Sequence, residues 1–582
     1  MKKLLLTLFL IAGCWFANAQ WSDNPTENNL ITPLGKAVRD IDMLASKDGN
    51  VFITYLQQLN GNTASILQVV DKNGNMLFPA EGLVVSNKKT ITWSLVGDMM
   101  FVDREGNAIV VVTDCRNADN DYDISYSLYK VSATGEMLWG KDGVDLANGV
   151  AFDLVHNMQI VQLEDGSYVC SYAITNFDNQ THIRMQRLSA NGEFLWGDEG
   201  IIIQDNSVTY EYPYLVSAGN NQVILVFARG AGRHLTARKI DFDGSNAWAT
   251  DVTIYSGGFT IPPLQVIIRV IPDQMGGAFV GWYDDRNWTN KESTYVSHVT
   301  TDGKLGFASG EGGERIGYSE ELRGFAPAMY FAKEESMLYV AWRETTSGQS
   351  YQRMTAQKVK IPSGELMWDP EGVEVTPMKE PLSISSYSVQ NDGEGNMAVF
   401  YSKSYGWAED INSVTLINKN GEHVWKEEIV DFANCIGLKS RLSSTSLINN
   451  NFWVAGWDDE RKIEGDMDGN TKIYLQRINK DGTLGNNGAG VKVHNMAATF
   501  TVAPTIVDGY ANFYINTEKT SVADITLYSI MGQKMETIYS GILPNGDNMI
   551  TWNAQKSKLS KGIYIATLTM DSGNKSLRII VN

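Results

Sequence analysis

The sequence predicts an all-β protein: an eight-bladed β-propeller, with seven blades as the alternative if a degenerate copy is miscounted, followed by a small immunoglobulin-like β-sandwich. Three observations predict it. A phrase recurs along the chain, clearest in Ile183-Arg184-Met185-Gln186-Arg187-Leu188 before Gly192 and in Ile473-Tyr474-Leu475-Gln476-Arg477-Ile478 before Gly482. Its turn glycines are Gly74, Gly135, Gly192, Gly244, Gly303, Gly364, Gly421 and Gly482, at steps of 61, 57, 52, 59, 61, 57 and 61 residues. Self-similarity at such a period means one supersecondary unit used many times. Each unit holds four short strand-like runs, in the sixth unit 328–333, 337–342, 354–360 and 373–376, separated by Gly, Asn, Asp and Ser. No stretch carries a 3.6-residue apolar stripe of helical length. Four strands per unit, closed into a ring, leave only short and protected sheet edges.

From the N-terminus, Lys2 and Lys3, an apolar run over 4–16 and Ala17-Asn18-Ala19 before Gln20 read as a secretory signal peptide, residues 1–19. A lipoprotein box ending in Cys14 is the rival reading. No other segment reaches the roughly 18 apolar residues of a membrane span. Residues 20–499 form the propeller, and 21–32 resemble the end of a repeat, so that they lend the strand that closes the ring. Trp139, Trp196, Trp248, Trp368 and Trp425 follow the turn glycine in one phase, and Trp282, Trp342 and Trp457 end the second strand. Residues that recur in many blades meet the same kind of neighbour in each, so both sets are expected to pack between blades. The Asp and Arg of Trp282-Tyr283-Asp284-Asp285-Arg286 and Trp457-Asp458-Asp459-Glu460-Arg461 are expected to pair across strands or cap the next hairpin.

The net charge is −19, and the acidic excess lies in the repeat body. Such a surface repels phosphate backbones, which excludes nucleic acid as a partner. Cys115, Cys170 and Cys435 stand at different places in the repeat and are expected to be buried thiols, with one disulfide as the alternative. His182 and His234 share a phase but lack a third metal ligand. Asp119, Asp121 and Asp123, and likewise Asp466 and Asp468, alternate as calcium loops do, without the full ligand series. The expectation is therefore no cofactor, with calcium the one candidate. His-Glu-x-x-His, Gly-x-Ser-x-Gly and phosphate-loop motifs are absent from the sequence. Arg269-Val270-Ile271-Pro272 resembles the Arg-Ile-Pro element of sialidases, though it stands mid-chain and the turns typical of that family are missing.

Residues 500–582 change composition and read as five short strands, 511–516, 523–529, 548–552, 562–570 and 575–581. Here Ile525-Thr526-Leu527-Tyr528 leads to Gly532 and Lys534, Leu559 leads to Gly562 and Tyr564, and Lys575 opens a run that ends at Val581. In order and spacing these motifs resemble the type A C-terminal sorting domain of the Bacteroidetes type IX secretion system. Gly532, Gly562, Tyr564 and Lys575 match its motifs, while its Pro-Asn-Pro opening is reduced to Ala503-Pro504-Thr505. The resemblance implies Sec export and then outer-membrane passage through the type IX machinery, with this domain as the address. It also implies a cargo placed on the cell surface or released. The expected function is a non-catalytic binding module for a glycan or protein ligand. A glycan-active hydrolase or lyase and a structural surface protein are the alternatives.

Overall fold

The computed structural model describes residues 21–582 apart from 90–98, 117–123, 148–153, 177–179, 206, 258–267, 287–290, 379–381, 464–469, 487–498, 518, 530–532, 558 and 571–572. The signal-peptide expectation, Cys14, both acidic loops and Gly532 lie outside the described residues. Contacts divide the chain into a unit ending at Asn486 and a second starting at Asn487.

Among the described residues the first unit holds eight antiparallel sheets, in step with the eight turn glycines. The first sheet is Val38–Ala45, Val51–Leu59, Asn62–Val70 and Leu83–Ser86 in simple up-and-down order. The sixth has Ala328–Ala332, Met337–Thr345, Gln352–Lys360 and Val373–Glu374, close to the runs read from sequence, with the added pair Arg323–Gly324 on Met337–Thr345. Apart from those of the second and third sheets, the first strands of successive sheets touch one another, and the last of them, Lys439–Ser444, returns to Val38–Ala45. The propeller class is thus the observed fold. The inner strands of the first five sheets line a cavity of about 660 Å³, with Leu44, Phe101, Val161, Leu215 and Val270 in its walls. Closure uses the N-terminal segment: Asn29–Leu30 pairs with Lys472–Asn479 as the outer strand of the eighth sheet.

The repeated phrase is packing chemistry. All eight turn glycines have positive φ, from 76° to 94°, a region costly for residues with a Cβ. A Cβ on Gly192 would come within 2.8 Å of Val144 and 3.1 Å of the Trp139 ring, so the preceding blade's indole lies directly against this turn. The Trp139 indole N–H donates to the Ala190 carbonyl of the next blade at 2.9 Å. Trp196, Trp248, Trp368 and Trp425 donate in the same way to Phe242, Thr301, Lys419 and Lys480. The repeated glutamine ties each third strand to the segment after it: Gln186 Nε2 donates to Gly197 O and Gln357 Nε2 to Asp369 O. At the seam the N-terminal segment takes both parts. Trp21 donates to Lys72 O at 3.0 Å, and Gln476 Nε2 donates to Ser22 O at 2.6 Å.

The second unit packs a three-stranded sheet, with Tyr510–Thr517 at its centre, against a five-stranded one around Phe513, Ile525, Leu527, Trp552 and Leu568. Its first strand starts at Thr499, one residue before the expected boundary. Thr499–Ala503, Ile506–Val507 and Lys534–Leu543 are additional to the strands expected from sequence.

Candidate functional site

The buried tryptophans of the second strands show which positions packing uses. Trp282, Trp342 and Trp457 are fully buried, and each indole N–H donates to the carboxylate two residues on. The acceptors are Asp284 at 2.8 Å, Glu344 at 3.1 Å and Asp459 at 2.8 Å. Those carboxylates pair with Arg286, Arg353 and Arg461. For Asp284 and Asp459 the partner is two residues along the same segment; only Glu344–Arg353 crosses strands. Side chains alternate along a strand, so the residue between Trp and carboxylate points the other way. That residue is Tyr283, Arg343 or Asp458, a different chemistry in each blade.

These positions lie at the end of the ring where the inner strands begin. The inner strands are bulged there, between Arg39 and Asp42, His156 and Gln159, Glu211 and Tyr214, Ile384 and Tyr387, and Ser440 and Ser443. In four of the bulges a side-chain-bearing residue is left-handed: Asp40, Asn157, Tyr212 and Arg441, with φ between 53° and 61°. Bulges re-aim side chains at barrel rims, and such strained residues cluster at functional sites.

On one side of this mouth Arg269, Tyr283, Phe325, Arg343, Ser385 and Tyr387 line a pocket of about 290 Å³. The Arg343 guanidinium lies 4.4 Å from the centre of the Phe325 ring and donates to Ile384 O at 2.8 Å. Its Nε is buried without a hydrogen-bond partner. Among the described residues neither Arg269 nor Arg343 pairs with a carboxylate, whereas the neighbouring Arg323 is held by both oxygens of Glu292. The Tyr387 hydroxyl donates to Ala326 O. Burial raises the Tyr387 pKa, and the positive charges of Arg343 and Arg269 oppose that rise. Burial and the nearby Tyr387 push Tyr283 up to about 12. The pocket therefore presents neutral phenols and two guanidinium groups without an acidic partner among the described residues, in a chain of net charge −19.

At the join of the eighth and first sheets a second cluster forms. Asp458 Oδ2 accepts the Asp40 backbone N–H at 3.1 Å and lies 3.8 Å from Arg441 Nε, while Arg441 Nη2 pairs with Asp40 Oδ1. Asp458 Oδ1 is buried with no partner. Burial raises Asp458 to about 7, despite the attraction of Arg441. Elsewhere on the mouth His156 sits 6.0 Å from the Tyr212 ring, and burial lowers it to about 4.

Of the residues singled out in the sequence, Arg269 and Tyr283 line the pocket and Asp458 joins the second cluster, while the others fall outside this mouth. His182 and His234 occupy equivalent places on the third strands of adjacent sheets, the first buried and the second exposed. His234 borders a groove of about 610 Å³ on the fourth sheet, larger than the mouth pocket. The Arg238 of that groove is already held bidentately by Asp251, at 2.7 and 2.8 Å, which leaves it little to offer a ligand. Among the described residues no cluster of three His, Cys, Asp or Glu could hold a metal ion. Among the described residues Cys115, Cys170 and Cys435 form no disulfide; Cys115 and Cys170 are buried and Cys435 is half-buried. Gly562, the buried Tyr564 and the exposed Lys575 fall on two paired strands of the second unit, Gly562–Met570 and Gly573–Val581. No helix among the described residues is long and apolar enough to cross a membrane. Arg343 and Tyr387 carry no motif in the sequence, and Tyr283 stands inside one whose Asp and Arg alone suggest a role. For Tyr283 and Arg343 the signal is variation at a fixed repeat phase, one residue after the second-strand tryptophan.

No family model matches the chain, and no curated protein matches it. Solved structures do. An ulvan lyase of the polysaccharide lyase family PL25, bound to -[GlcA(1-4)Rha3S]-, aligns at 10% identity and TM-score 0.41, over 80% of this chain and 97% of its own. The polysaccharide lyase Uly1 aligns at 10% identity and TM-score 0.37, over 68% and 92%. An alpha-L-arabinanase of Penicillium chrysogenum complexed with arabinobiose aligns at 15% identity and TM-score 0.30, over 57% and 97%. At these identities and scores the likenesses assign no activity to this chain.

Proposed function

We propose that this protein is an exported propeller that binds an acidic saccharide at the mouth of its channel. One observation carries the reading: Arg269 and Arg343 face one pocket, without a carboxylate partner among the described residues, beside Tyr283, Tyr387 and the Phe325 ring. Guanidinium groups recognise carboxylate or sulfate in a planar, two-point fashion. The aromatic rings and the Ser385 hydroxyl complete the contacts that a sugar ring asks for. The second unit, with Gly532, Gly562, Tyr564 and Lys575, serves as the address for the type IX secretion machinery. That places the mature protein on the outer-membrane surface or outside the cell.

The test is a glycan-array screen of the mature chain, with and without calcium, that follows retention and product release. Retention of uronate or sulfated glycans over neutral ones is expected. Arg343→Ala should weaken it by roughly tenfold to a hundredfold, as loss of a charge-assisted contact does. Preference for neutral glycans, or no effect of the substitution, overturns the reading.

A glycan-active enzyme is the second reading, favoured by a tyrosine hydroxyl held among arginines in the same pocket. Release of shortened, unsaturated or newly reducing sugars in the same screen would establish it in place of simple binding.

A further inference from the structure

The seventh and eighth sheets carry an exposed apolar ledge. Trp407, at the tip of the hairpin between Met397–Ser404 and Asp410–Ile417, is 86% exposed. Tyr405 in the same hairpin is 42% exposed, and Ile436, in the loop entering the eighth sheet, is 79% exposed. Isolated exposed apolar residues are ordinary, but two aromatics and an isoleucine on two loops joined through their backbones are not.

The backbone beneath this ledge is fixed. Gly437 N–H donates to Ala408 O at 2.8 Å, and Glu409 bridges Gly437. Ser404 Oγ donates to Gly406 O at 2.8 Å, and Glu460 N–H donates to Leu438 O at 2.9 Å. A Cβ on Gly437 would meet the Arg461 backbone at 2.7 Å, so the loop is pressed against the blade. Rigid support under exposed rings is pre-organisation for a ligand, which lowers the ordering cost of binding.

The ledge also stands at the end of the ring that holds the mouth pocket. Ser404 pairs with Ser383, and the pocket residues Ser385 and Tyr387 follow directly along that inner strand. Ile436 precedes Lys439–Ser444, whose Leu442 lines the same pocket. From the level of Tyr387, paired with Tyr401, to Ser404 the strand advances about 10 Å, before the hairpin loop adds more. That span exceeds one sugar ring.

From this continuity, and resting on the saccharide reading of the pocket, we infer that Trp407 is a distal stacking platform and that the ligand is a saccharide chain. An acid-bearing unit sits between Arg269 and Arg343, while a unit further along lies on Trp407. The platform selects for chain length and leaves recognition of the acidic unit to the pocket.

The test measures the affinity of the mature full-length chain for two-unit and six-unit oligomers of each acidic glycan retained on the array, drawn from uronate, hyaluronan and chondroitin sulfate series. Wild type should bind the six-unit form more tightly. Trp407→Ala should remove roughly threefold to tenfold of that preference, the size of one aromatic contact, and leave two-unit binding unchanged. Trp407→Phe should restore part of it. Arg343→Ala should weaken both lengths equally. If Trp407→Ala leaves six-unit binding intact, or weakens both lengths alike, the platform is refuted while an effect of Arg343→Ala keeps the pocket reading standing. If no acidic glycan is retained, both fall together. Trp407 is exposed, so its replacement does not threaten the fold.

Discussion

The Asp458→Asn substitution makes the sharpest demand on the mouth geometry. Asp458 is buried against Asp40 and Arg441, with Oδ1 unpartnered, and its carboxyl titrates near 7. In an unfolded chain the same group titrates near 4. Between those values the folded protein holds a proton that the unfolded chain has lost, so stability falls as pH rises through the window. The cost is absent below about pH 4 and complete above about pH 7. Three pH units at roughly 1.4 kcal/mol each give about 4 kcal/mol. Asparagine keeps the oxygen that accepts the Asp40 N–H and carries no titratable proton, so it escapes this cost. For a unit of about 460 residues the unfolding entropy is near 1 kcal/mol per degree, so the cost corresponds to roughly 4 °C. Thermal unfolding followed by circular dichroism should show Asp458→Asn melting about 4 °C above wild type at pH 8.5 and level with it at pH 4. An equal difference at both pH values would refute the reasoning. So would a lower melting point for the variant at pH 8.5, which would mean that Arg441 already holds the carboxylate charged.

Two further outcomes follow from packing. Trp21→Ala should remove the indole that closes the ring, costing about 3–5 kcal/mol and lowering the melting point by a few degrees, whereas Trp21→Phe should do less harm; calorimetry decides, and an unchanged melting point would show that the seam does not rely on this residue. Under native conditions a thiol reagent should label Cys435 well before Cys170, whose thiol is buried and pushed up to about 12; mass spectrometry of the labelled peptides reads the order, and equal labelling would contradict the burial.

What the sequence disclosed follows from where the blades agree. Gly192, Trp139 and Gln186 recur because every blade meets the same neighbour, so periodicity marks them and identifies their work as packing. The seam was legible too, since residues 21–32 read as the missing end of a repeat, and Trp21 and Ser22 supply its indole and its carbonyl. The mouth residues sit where the blades disagree. Arg343, Tyr283 and Asp458 share one phase, yet the residue differs in each blade, and only the closed ring shows what faces it. Arg269 drew notice for a likeness to another family and proved to line the pocket. The strand Lys534–Leu543 escaped reading because it pairs along one side only and is mostly exposed, so apolar alternation is weak along it.

The seam also sets a timetable. Asn29 and Leu30 complete the eighth sheet only against Tyr474 and Leu475, residues made more than four hundred positions later. At about 5–20 residues per second, a ribosome needs tens of seconds to supply the partner. Until then the earliest segment has no sheet to join, and the ring stays open with an unpaired edge. Contacts of such long range form late and slowly. A chain that cannot finish folding until its last blade exists remains threadable for as long as it is being made.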